Sequence, residues 1–193
     1  MSSAYTPFLK NNVVFSSRDH PGLFSVVYFT NPLICNMGCY YCHNRNESIH
    51  LLKDGHEEVL EKFKYKEFIN SLEFYKTLGA ELVVISGGEP LFNNRFIKFI
   101  KKFRNVIDLP VRIDTNGQLP EIMQEIGTYV DGYAVDIKIK IKDKYEEEEK
   151  SIYEKKLGIK NIYRYIENLN KAIDIAQKYK YSLIRKSAVC IDI

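Results

Sequence analysis

The sequence predicts an α/β fold, an open sheet of about five parallel strands with outer helices, on three observations. Short β-branched and aromatic runs alternate with longer stretches of helical spacing, and under the right-handed crossover rule that alternation gives a parallel sheet flanked by helices. The first long run, Ser25-Val26-Val27-Tyr28-Phe29-Thr30, is continuously apolar in its middle, as strands buried on both faces are. The segments that follow the runs carry cysteines, glycines and carboxylates, and ligands gather at the carboxyl ends of parallel strands. The runs are too few for a closed eight-stranded barrel.

Each element follows in order. Residues 1–12 are polar and read as a flexible arm, with Val13-Val14-Phe15 a short edge strand. Pro21-Gly22 marks a tight turn before the first core strand, residues 25–30. Residues 50–62 are polar and charged. Phe68, Ile69, Leu72 and Tyr75 recur at helical spacing across residues 65–78, and Gly79 ends that helix. Leu82-Val83-Val84-Ile85 is the second strand, and residues 92–103 place Phe96, Ile97, Ile100 and Phe103 on one helical face. Val111-Arg112-Ile113 is the third strand, residues 119–126 a short helix, and residues 133–138 the fourth strand. The charge run from 140 to 156, with four consecutive glutamates at 146–149, reads as a solvated surface loop or helix face. A helix over 163–179 and a fifth strand over 182–191 complete the pattern.

The chain of 193 residues, 45% hydrophobic and 27% charged, suits a single globular domain over 1–193, with the charged segment at 140–160 as an insertion. A net charge of +3 is too small to argue for nucleic acid. No apolar run approaches a membrane span and the first residues lack the pattern of a signal peptide, so the expected location is cytoplasmic. A reducing compartment also fits the clustered cysteines.

Those cysteines carry the chemistry. Cys35, Cys39 and Cys42 form CxxxCxxC, three soft ligands within eight residues. Three thiolates on one loop can take three corners of an iron-sulfur cube, and no fourth cysteine lies nearby, which leaves one iron open to a ligand. Two other readings stand beside it. A structural zinc site has only His43 close enough as a fourth ligand. A Cys39/Cys42 redox pair leaves Cys35 without a role. Downstream, Gly87 and Gly88 lack a Cβ, so their backbone can approach a ligand closely, and Glu89 adds an acceptor. Asp114 and Asp136 end strands on the same rim as the cysteines, where carboxylates suit ribose hydroxyls or a cation. Cys190, isolated, reads as a core residue.

CxxxCxxC followed by His43-Asn44, with Ser86-Gly87-Gly88-Glu89-Pro90 downstream, resembles the radical S-adenosylmethionine (SAM) superfamily. Within it the chain is most similar to the glycyl-radical-enzyme activases, such as the activators of pyruvate formate-lyase and of anaerobic ribonucleotide reductase. The likeness runs from about Arg18 to about Arg185. It implies a partial (βα) barrel, ideally of six strands; the fifth is the last visible here, so either the chain belongs to a compact branch or its carboxyl end is missing. It implies a 4Fe-4S cluster on Cys35, Cys39 and Cys42, the residues on which catalysis depends, with SAM at the open iron. SAM-binding positions carried over are Tyr41, His43, Asn44, Gly87, Gly88, Glu89, Asp114, Asp136, Lys138 and Arg185. Asp114, Thr115 and Asp136 match the holders of a monovalent cation. Asp19 with Pro21-Gly22 resembles the activases' Asp-x-Pro-Gly segment on the substrate side.

The implied activity is reductive cleavage of SAM to a 5′-deoxyadenosyl radical that takes hydrogen from a backbone glycine. The implied partners are a glycyl radical enzyme and a flavodoxin or ferredoxin-type electron donor. Two alternatives remain: a radical SAM enzyme acting on a small molecule, in the manner of 7-carboxy-7-deazaguanine synthase, and a zinc-binding module without catalysis.

Overall fold

The computed structural model describes residues 5–186, and Cys190 lies outside them. Seven strands form one sheet: β1 (Tyr5–His20), β2 (Leu23–Thr30), β3 (Lys62–Lys64), β4 (Leu82–Ser86), β5 (Val111–Thr115), β6 (Gly132–Ile137) and β7 (Leu183–Lys186). Their order is β3-β1-β2-β4-β5-β6-β7. From β2 to β7 every pairing is parallel, which gives the expected five parallel strands, and among the described residues the sheet does not close.

Six helices accompany it: α1 (His43–Lys53), α2 (Tyr65–Thr77), α3 (Asn94–Phe103), α4 (Pro120–Ile126), α5 (Glu147–Leu157) and α6 (Ile162–Ala176). Asn93 and Asn161 start α3 and α6, each accepting two first-turn amides on its side-chain oxygen. Gly79 follows α2 with a positive φ of 93°, as expected of a residue beyond a helix end. Buried side chains of α2 to α6 meet one face of the sheet in a single core with Val26, Tyr28, Val83, Ile85, Ile113, Tyr133 and Val135. Because side chains alternate along a strand, the intervening residues face the other way. At the β2 and β4 end these are Val27, Leu82 and Val84; toward β5 to β7 they become Arg112, Asp114, Asp136 and Arg185. One face is thus hydrocarbon and the other turns charged at the rim.

Three expectations need correction. The amino-terminal segment is not an arm from Tyr5 onward: β1 pairs antiparallel with both β2 and β3, and Phe8 and Leu9 are fully buried. Its register breaks between Phe8 and Val13, where Lys10-Asn11-Asn12 interrupts the apolar alternation that marks a strand. Residues 43–53, left without an element, form α1. The charged segment, expected as a solvated surface loop or helix face, contains the helix α5, and it is not wholly solvated: α5 turns Tyr153 and Leu157, four apart, into the core.

Candidate functional site

The loop after β2, the segments after β4 and β5, and the ends of β6 and β7 enclose one cavity of about 310 Å³. Cys35, Cys39, Cys42, Tyr41, His43, Asn44, Gly87, Gly88, Glu89, Asp114, Thr115, Asp136, Lys138 and Arg185 all line it, as do Met37, Ser86 and Asn116, which the sequence did not single out. Residues up to 150 positions apart meet there because parallel strands bring all their carboxyl ends to one side (35 and 185 are the extremes). Asp19 does not line the cavity; its carbonyl accepts from Arg112 Nη1 at 2.6 Å, near the opposite end of β2.

Cys35, Cys39 and Cys42 are free thiols, each partly buried. The backbone N–H of Met37 and the amide of Asn116 point at Cys35 Sγ, at 3.4 and 3.9 Å. Burial pushes the Cys35 thiol up to about 11, and burial raises Cys39 as well. Unmetallated thiolates are therefore disfavoured here, and metal cations are what would ionise them. Among the described residues no three His, Cys, Asp or Glu side chains group around a point that would hold a single ion. A cube several ångströms wide does not need such a point, since each thiolate meets its own iron. The donor set therefore fits a cluster better than zinc. His43 stands exposed beside Glu47, 3.2 Å away. The Tyr41 hydroxyl is buried beside Cys39, and burial followed by the charge of Cys39 holds its phenol protonated, so it presents a donor to the sulfur side of this cavity.

The opposite wall is electrostatic. Arg185 Nη1 donates to Asp114 Oδ2 at 3.1 Å and its Nε to Asp136 Oδ1 at 2.9 Å. Arg112 Nε reaches Asp114 Oδ1 at 3.2 Å, and Lys138 Nζ reaches Asp136 Oδ2 at 3.1 Å. Of these groups Arg185 and Lys138 line the cavity beside Asp114 and Asp136, so the wall is a paired network of two cations and two carboxylates, with Arg112 buried behind it. Burial raises the Asp114 carboxyl, against the pull of Arg112 and Arg185. Burial disfavours the Arg185 charge too, but Asp114 and Asp136 outweigh it and raise its pKa. The monovalent cation expected at Asp114, Thr115 and Asp136 does not match this geometry: the Arg185 guanidinium stands between the two carboxylates, and the Thr115 hydroxyl turns to Glu89.

Glu89, 1% exposed, joins the two walls. Its carboxylate accepts from the Thr115 hydroxyl at 2.9 Å and from the N–H groups of Asn116 and Leu91 at 2.8 and 3.1 Å. Asn116 in turn donates to Asn36 Oδ1 at 2.8 Å, so the acid braces the cysteine loop, and burial raises its pKa to about 7. Within the protein Glu89 thus serves as a brace. Gly87 and Gly88 line the cavity and also pack closely on the neighbouring segment. A Cβ on Gly87 would lie 2.4 Å from Thr30 O, and one on Gly88 2.3 Å from Ile34 O, so both glycines admit the approach to the cysteine loop. Glu89 N donates to Ile34 O at 2.9 Å and Asn44 Nδ2 to Gly87 O at 3.1 Å, which ties the two loops together.

Comparison with known proteins adds the following. The sequence profile described as "Radical SAM superfamily" matches residues 33–184. A protein of Methanocaldococcus jannaschii, provisionally named as a glycyl-radical enzyme activating enzyme, is 34% identical over 70% of this chain and 51% of its own length. The 7-carboxy-7-deazaguanine synthase of the same organism is 31% identical over 72% of this chain and 57% of its own. The chain spans about half the length of these curated relatives. A structure of TYW1 with a lysine-pyruvate adduct bound shares the fold at a TM-score of 0.50 and 17% identity, covering 95% of this chain and 62% of that one.

Proposed function

The chain belongs to the radical SAM superfamily, and from that premise we propose that it activates a glycyl radical enzyme. The observation that carries the chemistry is the meeting of three unpaired thiols with a rim of paired charges, Arg185 and Lys138 with Asp114 and Asp136, in one cavity. When bound, the cluster supplies one electron to SAM, breaking the sulfur to C5′ bond to give methionine and a 5′-deoxyadenosyl radical; that radical leaves as 5′-deoxyadenosine after taking a hydrogen atom from a backbone glycine.

The chain's own residues do the rest. Cys35, Cys39 and Cys42 would hold three irons, and among the described residues no further cysteine lines the cavity to take the fourth. Arg185 and Lys138, held in place by Asp114 and Asp136, are the cations that would meet the SAM carboxylate. Tyr41 and Asn44 wall the cavity at the last cysteine and limit the entry of water there, while His43 stands at its open edge. The single-domain reading and a cytoplasmic, reducing location go with this proposal, as does a flavodoxin or ferredoxin-type donor. No helix among the described residues is long and apolar enough to cross a membrane.

The activase reading draws on the 34% relative, and the 31% relative supports a second, in which the radical acts on a small molecule. Anaerobic incubation with SAM and a reductant separates them. With pyruvate formate-lyase or anaerobic ribonucleotide reductase from the same organism, an activase yields a glycyl radical signal by electron paramagnetic resonance (EPR). Silence there, with turnover of the substrate of 7-carboxy-7-deazaguanine synthase, selects the second reading.

A further inference from the structure

We propose that α5, the helix hidden in the charged segment, is a clamp on the cysteine loop, with Gly158 as its positioning residue. This rests on the loop being the cluster's holder. The last carbonyls of a helix have no partner within it. In α5 two of them point at the loop: Leu157 O accepts from Gly38 N and Lys156 O from Tyr40 N, both at 3.0 Å. Those two amides flank Cys39 on either side, and its Sγ lies 3.9 Å from Leu157 O. The loop has little structure of its own to hold that cysteine. Within residues 31–42 its backbone bonds to itself through Ile34 N to Asn31 O and Cys42 N to Cys39 O.

Gly158 makes the approach possible in two ways. It closes α5 with a φ of 63°, and its left-handed turn returns Ile159 N to Glu154 O at 3.0 Å. A Cβ there would lie 2.7 Å from both the Cα and the N of Gly38, backbone atoms that cannot swing aside. The helix is itself anchored. Tyr153 and Leu157 are buried, and Glu154 Oε1 accepts from Ile162 N at 3.0 Å at the start of α6. The position of Cys39 is thus imposed by an element more than a hundred residues later in the chain.

The test compares three variants of the full chain. Gly158→Ala carries both defects. Gly158→Asn tolerates the left-handed backbone and so carries the steric defect of an added side chain without the backbone strain. Gly22→Ala, at φ 76° with nothing within 4 Å of a Cβ, has backbone strain without the contact. Hydrogen exchange on the metal-free protein should show the Gly38 and Tyr40 amides protected in the parent and about tenfold less protected in both Gly158 variants. Circular dichroism should be unchanged. After anaerobic reconstitution, both Gly158 variants should release iron to a chelator about tenfold faster than the parent and Gly22→Ala. Parent-like exchange at residues 38 and 40 in Gly158→Asn overturns the clamp, as does equal iron loss in Gly22→Ala. If the parent itself takes up no iron and sulfide, the cluster reading fails, while the exchange data still decide the clamp.

Discussion

The two walls of the cavity are built on opposite principles. Asp114, Asp136, Lys138 and Arg185 stand at strand ends and satisfy one another, so that wall needs no ligand to be stable. Cys35, Cys39 and Cys42 stand on a loop, and their shape is imposed by Asn116 on one side and α5 on the other. Burial also leaves Cys35 and Cys39 reluctant to ionise. The difference teaches that the charged wall is part of the fold, whereas the sulfur wall is completed by its metal.

Substitution on the sulfur wall breaks the comparison most sharply. Cys39→Ala should abolish cluster absorbance and SAM cleavage and leave the melting temperature of the metal-free protein within a few degrees of the parent; a large fall in that temperature would give the sulfur wall a folding role. The brace between the walls comes next. Glu89 has a folded pKa of about 7 against an ordinary 4.5, so the folded state binds more protons in between. Stability of the metal-free protein should be highest below about 4.5 and fall as pH rises through about 7, by on the order of 2–3 kcal/mol. Buried Asp114 adds a slope of the same sign, so the contrast with Glu89→Gln isolates the Glu89 share. Gln places an N–H against that of Asn116, a cost at every pH, but it removes the slope. Denaturant titrations from pH 4.5 to 8 with parallel curves for the two proteins would contradict this.

On the charged wall, Arg185→Met should cost the metal-free protein roughly 1–2 kcal/mol, because Arg185 is a third exposed and its pairs are partly screened. Iron and sulfide content should stay at the parent level, the mirror image of Cys39→Ala, while SAM binding weakens. The smallest change expected is at Tyr41. Tyr41→Phe removes the donor beside Cys39, and because hydrogen bonds to cluster sulfurs raise the reduction potential, the potential should move down with cluster content constant. A spectroelectrochemical titration with no shift would place that hydroxyl outside the cluster's reach.

Much of this could be read in the sequence, and the exceptions share a physical cause. Residues 82–85 declare themselves as a strand through uninterrupted apolar character, 111–113 and 133–138 through apolar residues at every second position, and the cavity follows because their carboxyl ends must lie together. β1 was obscured because Lys10-Asn11-Asn12 and Ser16-Ser17-Arg18 interrupt it, and its stability comes from partners on both edges rather than from its own pattern. α5 was obscured because two buried positions, Tyr153 and Leu157, sit among glutamates and lysines, although their spacing of four was a usable signal. For Gly87, Gly88 and Glu89 the sequence located the segment at the cavity, and their contacts with Thr30, Ile34 and Thr115 appear only in the structure. Glycine beside a ligand and glycine beside a neighbouring loop look alike until the loop's path is known.

The most direct test of a cluster held by three cysteines with one iron reserved for SAM is magnetic resonance on the reduced, reconstituted protein with SAM labelled at its amino nitrogen and carboxylate oxygen. The predicted result is four iron and four sulfide per chain, and a reduced-cluster signal that shifts with SAM and couples to both labels. Stoichiometric zinc, or an iron-sulfur signal indifferent to the labelled nucleotide, would contradict it.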